Sequence, residues 1–205
     1  MPFLNSFYSC AANKIMLNNF YQEFLKDNGY NIEEDYRGTC TVYRVANGDG
    51  RKIAKIANWK DEWGKDHVET EYGVLKSLEG LDGLPKPVCM YESQNPESFS
   101  AYPKYGREGF YILIREFIDG KTVAELGKKI TDTKAQQFVE NTVREVHKQG
   151  LVYLDIGERN TIISENGMPY IIDLGSCIHK DNISRNEMFD YLAHIDIDNL
   201  QHMFE

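Results

Sequence analysis

Nowhere in the 205 residues is there a run of five or more Lys or Arg, and 23 Lys plus Arg against 32 Asp plus Glu leave a formal charge of −9. An acidic chain without a basic patch repels phosphate backbones, so no nucleic-acid partner is expected. The longest apolar stretches, such as Phe110 to Ile114 and Tyr170 to Ile172, fall far short of the roughly 20 residues of a membrane-spanning helix. Only four cysteines occur, Cys10, Cys40, Cys89 and Cys177, with no C-x-x-C pair and no histidine at ligand spacing. That dispersal excludes a zinc ribbon and a disulfide framework and makes a reducing cytoplasm the default setting. The first 12 residues lack the basic start of an export signal and read as a loosely held terminal segment. Repeats and low-complexity tracts are absent. What remains is ordinary globular material, with 41% hydrophobic, 12% aromatic and 27% charged residues, enough apolar content to bury one core and too much for a disordered chain.

Hydrophobic periodicity gives the organisation. Asn18 to Asn28 reads as a helix ended by Gly29, and Thr39–Val45 with Arg51–Ala57 forms a β-hairpin around Asn47-Gly48-Asp49-Gly50. His67 to Leu81 carries Val68, Tyr72, Leu75 and Leu78 on one helical face, and Phe110 to Phe117 is a buried strand ended by Asp119-Gly120. A short helix from Thr122 precedes an amphipathic helix over Lys134–Lys148 that stops at Gly150. Thr161–Ile163 and Tyr170–Ile172 form a short hairpin, and a last helix spans Asn186–Phe204 with Ser184 and Glu187 as its capping box. Strands dominate the first half and helices the second, a two-lobed α+β layout joined near Ile118 to Gly120. The divisions are an N-terminal extension and helix over 1–35, a strand-rich lobe over 36–118 and a helical lobe over 119–205.

The densest polar signal is Leu151–Asn160, LVYLDIGERN, followed by Tyr170–Gly175, YIIDLG. Asn160 lies five positions after Asp155, and Asp173 opens an Asp-Leu-Gly directly after a strand. This block resembles the protein-kinase-like superfamily, whose catalytic loop reads H-R-D-x-x-x-x-N and whose metal-binding turn reads D-F-G. The 13 residues from Asn160 to Asp173 also resemble that family's spacing. The resemblance implies a two-lobed kinase-like fold with a reduced C-terminal lobe, binding ATP with Mg²⁺ or Mn²⁺. Phosphoryl transfer demands positioning and charge neutralisation, and an Asp carboxylate with an Asn carbonyl suits a hard cation. The resemblance gives Asn160 and Asp173 that metal role, and Asp155 the task of orienting an acceptor hydroxyl and taking its proton.

The same resemblance is met upstream. Lys55 in Lys52-Ile53-Ala54-Lys55-Ile56 matches the V-A-I-K pattern that holds nucleotide phosphates. Of the two glutamates on the next helix, Glu71 falls on the inward face with Val68 and Leu75, whereas Glu69 tracks with Gly73 and Lys76. Glu71 is therefore taken as the partner of Lys55. Ile114–Gly120 resembles the kinase hinge, with backbone groups around Glu116 and Ile118 meeting a base edge. Among the glycines of the phosphate-covering loop only Gly38 survives, Tyr153 and Leu154 replace the His and Arg of the catalytic triplet, and 32 residues follow Asp173 with no A-P-E.

The absent peptide platform and the LDIGERNTIISENGMPYIIDLGSC block resemble the minimal branch of the superfamily: lipopolysaccharide core sugar kinases of bacteria and, more distantly, RIO-type kinases. What the resemblance implies is a cytoplasmic phosphotransferase acting on a small-molecule or glycolipid sugar, with peripheral contact at the inner membrane. The alternatives are a small Ser/Thr protein kinase with a protein partner, and a pseudokinase that only binds or scaffolds. His147 is expected to pack structurally, Arg159 and Lys180 are candidate cations for an anionic acceptor, and Asp196 and Asp198 are expected to solvate the last helix.

Overall fold

The alternation in Phe110–Glu116 explains how the first half of the molecule is layered. In the computed structural model, which describes residues 21–37, 41–58, 62–93 and 110–204, this strand, β5, is buried through six successive residues. Phe110, Ile112 and Ile114 join one cluster with Tyr21, Leu25, Tyr43, Val45, Ala54 and Ile56. Tyr111 and Leu113 join another with Ala57 and Val68. Successive side chains of a strand point to opposite faces, so a strand covered by helices on both sides reads as continuously apolar.

The strands β1 (Asn31–Arg37), β2 (Thr41–Asn47), β3 (Gly50–Asn58), β4 (Pro87–Ser93) and β5 form an antiparallel sheet in the order β1-β2-β3-β5-β4. The expected hairpin is β2–β3, with Asn47 opposite Gly50. Its turn is closed by the Asp49 N–H donating to Asn47 Oδ1 at 3.0 Å, and Gly50 sits at φ +102°, where a side chain would be strained. A helix α1 over residues 21–27 covers one face through Tyr21, Phe24 and Leu25, with Phe24 edge-on to Tyr91 and Phe110. Within 1–35, then, α1 and β1 are built into the sheet layer.

Helix α2 runs Glu62–Ser77, beginning five residues before the expected His67, because Gly64 and the polar Lys65-Asp66 hide its first turn from the apolar period. Its middle packs on the sheet through Val68. Its end, with Val74 and Leu75, and Leu78 just after it reach into the second core with Leu84, Val139, Val143, Val146, Leu154, Leu174 and Leu200. That core is organised by α4 (Thr133–Lys148), whose N-cap Asp132 accepts from the N–H groups of Lys134 and Ala135, a cap worth about 1 kcal/mol. The short α3 (Val123–Leu126) has a complete capping box from Thr122 and Glu125.

A three-stranded sheet, β6 (Gly120–Thr122), β8 (Thr161–Ser164) and β9 (Pro169–Ile171), and a two-stranded pair, β7 (Leu151–Val152) with β10 (Ile178–His179), frame the loop between them. Helix α5 (Asn186–His202) closes the core. The Ser184–Glu187 capping box does not form: Arg185 is the N-cap, and no side chain caps it.

Candidate active site

Lys55 and Asp173 are brought together from 118 residues apart. Lys55, on the face of β3 away from α1, is 5% exposed, and its Nζ donates to Glu71 Oε2 at 2.7 Å and to Asp173 Oδ1 at 2.6 Å. Glu71 is fully buried on α2, as its place on the inward stripe requires. Burial alone pulls the ammonium down, but Glu71 and Asp173 outweigh it and hold Lys55 above its ordinary value. Burial likewise pushes the Asp173 carboxyl up. The His67 hydrogen bond and the Lys55 charge overcome it and hold Asp173 well below the usual carboxylate range.

Two further residues complete this network. His67, four positions before Glu71 and hence on the same helical face, donates from Nε2 to Asp173 Oδ1 at 2.7 Å and stacks on Trp63 with ring centroids 4.9 Å apart. A Cβ at position 175 would overlap the His67 ring, so the glycine of Asp-Leu-Gly makes room for it. Arg115, on β5, places Nε 3.0 Å from the other Glu71 oxygen, Oε1. The sequence reading gave neither residue a role, although the i, i+4 spacing from Glu71 was a signal for His67.

The loop between β7 and β8 carries Asp155 and Asn160. The Asn160 side-chain amide donates to the Asp155 carbonyl at 2.9 Å and to Asp155 Oδ2 at 3.0 Å, and the Asn160 backbone carbonyl accepts from Ile172 N–H at 2.8 Å, which locks this loop to the strand leading into Asp173. Tyr153, Asp155 and Asp173 adopt positive φ of 62°, 50° and 88°. Non-glycine residues persist in that region only where their surroundings over-determine it. Here the anchor is Asp196. It is 1% exposed on α5 and accepts from the Tyr153 and Leu154 N–H groups at 2.9 Å each. Its Oδ2 also lies 3.0 Å from His147 Nε2. Asp196 therefore does not solvate the last helix. Its position four before the fully buried Leu200 puts it on the inward face, a signal the sequence offered.

Two adjoining hollows share Val42, Lys55, Asn160 and Asp173. One, of about 670 Å³, is lined also by Trp63, His67, Asp155 and Arg159. The other, of about 330 Å³, is a mainly apolar slot among Ile53, Phe117, Ile118, Ile162 and Ile172, with Arg115, Thr122 and Glu125 also in its wall. Ile118 is in this lining, and its backbone N–H and C=O make no hydrogen bond among the described residues. Glu116 is not in it: its N–H donates to Lys86 O at 2.8 Å and its carboxylate accepts from Lys86 N–H at 3.1 Å. Lys180 lies away from both hollows, its side chain covering Gly150. Gly38 lies outside the described residues.

Asp173 Oδ2 and the Asn160 amide oxygen make no hydrogen bond among the described residues. A carboxylate and an amide oxygen left over beside the cleft are hard donors that fit Mg²⁺ or Mn²⁺. Among the described residues no helix is long and apolar enough to cross a membrane.

A strand-rich lobe with one helix, a helical lobe built on α4, and a cleft between them holding a Lys–Glu pair and two aspartate loops define a protein-kinase-like fold with a reduced C-terminal lobe. Residues 104–205 match the family described as the RIO domain, an atypical kinase branch of the protein-kinase-like superfamily whose members use ATP with Mg²⁺. No curated protein matches the chain significantly. The family match thus falls on the RIO side of the resemblance, and the lipopolysaccharide sugar kinases receive no support from it.

Proposed function

We propose that this chain is an ATP-dependent phosphotransferase of the atypical protein-kinase type, moving the γ-phosphoryl group to a Ser or Thr hydroxyl of a protein. The observation that carries the reading is the Lys55 ammonium held between Glu71 and Asp173 at the junction of an apolar slot and an open polar hollow. A nucleoside base fits the slot, and Lys55 at its mouth reaches the phosphates. Mg²⁺, held by Asp173 and Asn160, supplies neutralisation of the phosphate charge when bound. Asp155, tied by Asn160, orients the acceptor hydroxyl. The hydroxyl oxygen forms the new bond to the γ-phosphorus as the bond to the β-phosphate oxygen breaks, the proton passes to Asp155 and then to water, and ADP leaves.

A protein acceptor replaces the glycolipid sugar as the leading substrate because the family match favours atypical protein kinases. Exposed Tyr153 and Met188 beside the catalytic loop, around a hollow shared with Ile183 and Arg185, supply apolar area that a protein surface would cover better than a sugar. The test is transfer of labelled γ-phosphate from Mg·ATP to a generic Ser/Thr protein substrate and to lipopolysaccharide core, for wild type and Asp155→Ala. Label on protein with the wild type only supports the reading. Label on the glycolipid alone overturns the acceptor class, and bound nucleotide with no transfer to any acceptor marks a scaffold of kinase shape.

A further inference from the structure

His67 is a buried imidazole on α2, 7% exposed, in the lining of the polar hollow. Its Nε2 lies 2.7 Å from Asp173 Oδ1, and because an ionised carboxylate only accepts, Nε2 carries the proton. Oδ1 is thus shared between His67 and the Lys55 ammonium, while Oδ2 makes no hydrogen bond among the described residues. Asp173 sits at φ 88°, a conformation that a non-glycine residue keeps only where its surroundings over-determine it. Burial raises its carboxyl, and of the groups that oppose burial His67 stands first, ahead of Lys55. The imidazole is itself wedged in place, with Trp63 stacked on it at an interplanar angle of 20° and Gly175 so close that a Cβ there would overlap the ring. His67, Glu71 and Asp173 also bring ligand atoms within 4.8 Å of one another. The Lys55 ammonium already bridges Glu71 and Asp173, so the imidazole serves Asp173 as a donor and the three do not form a cation cage.

We infer that His67 is a positioning residue for the cation site: its bond to Oδ1 fixes the rotation of the Asp173 carboxylate, leaves Oδ2 for the cation, and holds that arrangement when Lys55 turns to the nucleotide phosphates. Lys55 has Glu71, Asp173 and the phosphates to serve, and a bond it gives to phosphate is one it can withdraw from Asp173. His67 has no acceptor besides Asp173 among the described residues, and its ring is trapped between Trp63 and Gly175, so its bond persists. An outer hydrogen bond that orients a ligating group is worth about tenfold to a hundredfold in metal affinity. The inference rests on the reading of Asp173 as a cation ligand in a phosphotransferase, and it adds the residue that keeps that ligand aimed.

The test is the binding of AMP-PNP, whose γ-phosphate resists transfer, measured by calorimetry on the full chain in excess Mg²⁺ and in EDTA, for wild type, His67→Leu, His67→Gln and Gly175→Ala. The ratio of the two affinities is the gain that the cation supplies, and it cancels any general weakening of the base slot or of Lys55. Leucine removes the donor, whereas glutamine carries an N–H at the reach of Nε2. His67→Leu is expected to lose about tenfold or more of the wild-type gain while its affinity in EDTA stays close to that of wild type, and His67→Gln to keep most of the gain. Gly175→Ala, which pushes the ring aside and leaves every polar group in place, is expected to lose gain as His67→Leu does. An undiminished gain in His67→Leu, including one in which both affinities fall alike, overturns the inference and leaves Asp173 as a cation ligand, as does a gain lost equally in His67→Gln and His67→Leu. A wild type that binds no nucleotide, or gains nothing from Mg²⁺, overturns the reading of Asp173 together with the inference. Gly175→Ala decides the matter if His67→Leu does not fold.

Discussion

Replacing Asp196 by alanine is expected to damage the catalytic loop more than any change within the loop's own exposed residues. The carboxylate accepts from two backbone N–H groups at 2.9 Å and lies 3.0 Å from His147, and it is almost wholly buried. Removing it leaves two amide donors without partners, each costing about 1–3 kcal/mol, and the lost carboxylate desolvation offsets part of this. A net loss of about 3–5 kcal/mol follows by analogy with breaking a buried pair, or roughly 6–20 °C in melting temperature for a chain of this size. Tyr153 and Asp155 are held at φ 62° and 50°, where a side chain costs about 1–2 kcal/mol per residue, so the freed loop relaxes toward ordinary backbone. Misplacing Asp155 by about an ångström costs roughly a hundredfold in kcat. The KM for nucleotide should change little, because Lys55, Glu71 and Asp173 are untouched. Asp196→Asn, which keeps one accepting oxygen, should fall between. Urea and thermal unfolding with steady-state kinetics check this, and an Asp196→Ala melting temperature within about 2 °C of wild type, with kcat preserved, would refute the anchoring argument.

Lys55→Met removes one charge-assisted hydrogen bond to the phosphates, so Mg·ATP should bind about tenfold to a hundredfold more weakly by calorimetry, while the fold survives because Glu71 keeps Arg115. Gly120→Ala should cost about 1–3 kcal/mol in urea unfolding, because a Cβ there overlaps the Ile163 carbonyl on the paired strand β8, whereas Gly48→Ala, with open space around it, should leave stability nearly unchanged. Asp173 is held below the usual carboxylate range, so its stabilising contribution is present above about pH 4, the unfolded value, and is lost as pH falls toward its folded value. Wild type and Asp173→Asn should therefore differ by a constant amount between pH 5 and 7 (~1 kcal/mol or more) and converge toward pH 2, and a gap that widens on acidification would contradict the assignment.

Elements with strong periodicity and clean ends were legible. Helix α4 starts one residue from the expected position, because Val139, Val143 and Val146 form an unbroken stripe and Gly150 stops the chain. Strand β4 was invisible: it opens on Pro87 and mixes Val88, Cys89 and Tyr91 with a polar end, and only pairing with β5 makes it a strand. Strands β6, β7 and β10 have only two or three residues, too short to carry a period. In the site, the meeting of Lys55 with Glu71 and Asp173 and of Asp155 with Asn160 was legible from motif spacing along the chain. The partners of Asp196 and Arg115 were not, since they lie on other elements that only the folded packing brings near, even though the spacing of Asp196 to Leu200 marked its inward face. Glu116 shows the converse: the sequence offered it for the slot, and its carboxylate accepts instead from the Lys86 backbone N–H.

The most direct measurement of the central claim is the melting temperature with Mg²⁺ alone, nucleotide alone, and both together, for wild type and Asp173→Ala. Nucleotide at about 100 times its dissociation constant contributes about 2.7 kcal/mol, or roughly 5–11 °C here. The account predicts a shift of that order that requires Mg²⁺ and nucleotide together and disappears in Asp173→Ala. No shift with millimolar Mg·ATP would contradict a nucleotide-using enzyme at this cleft.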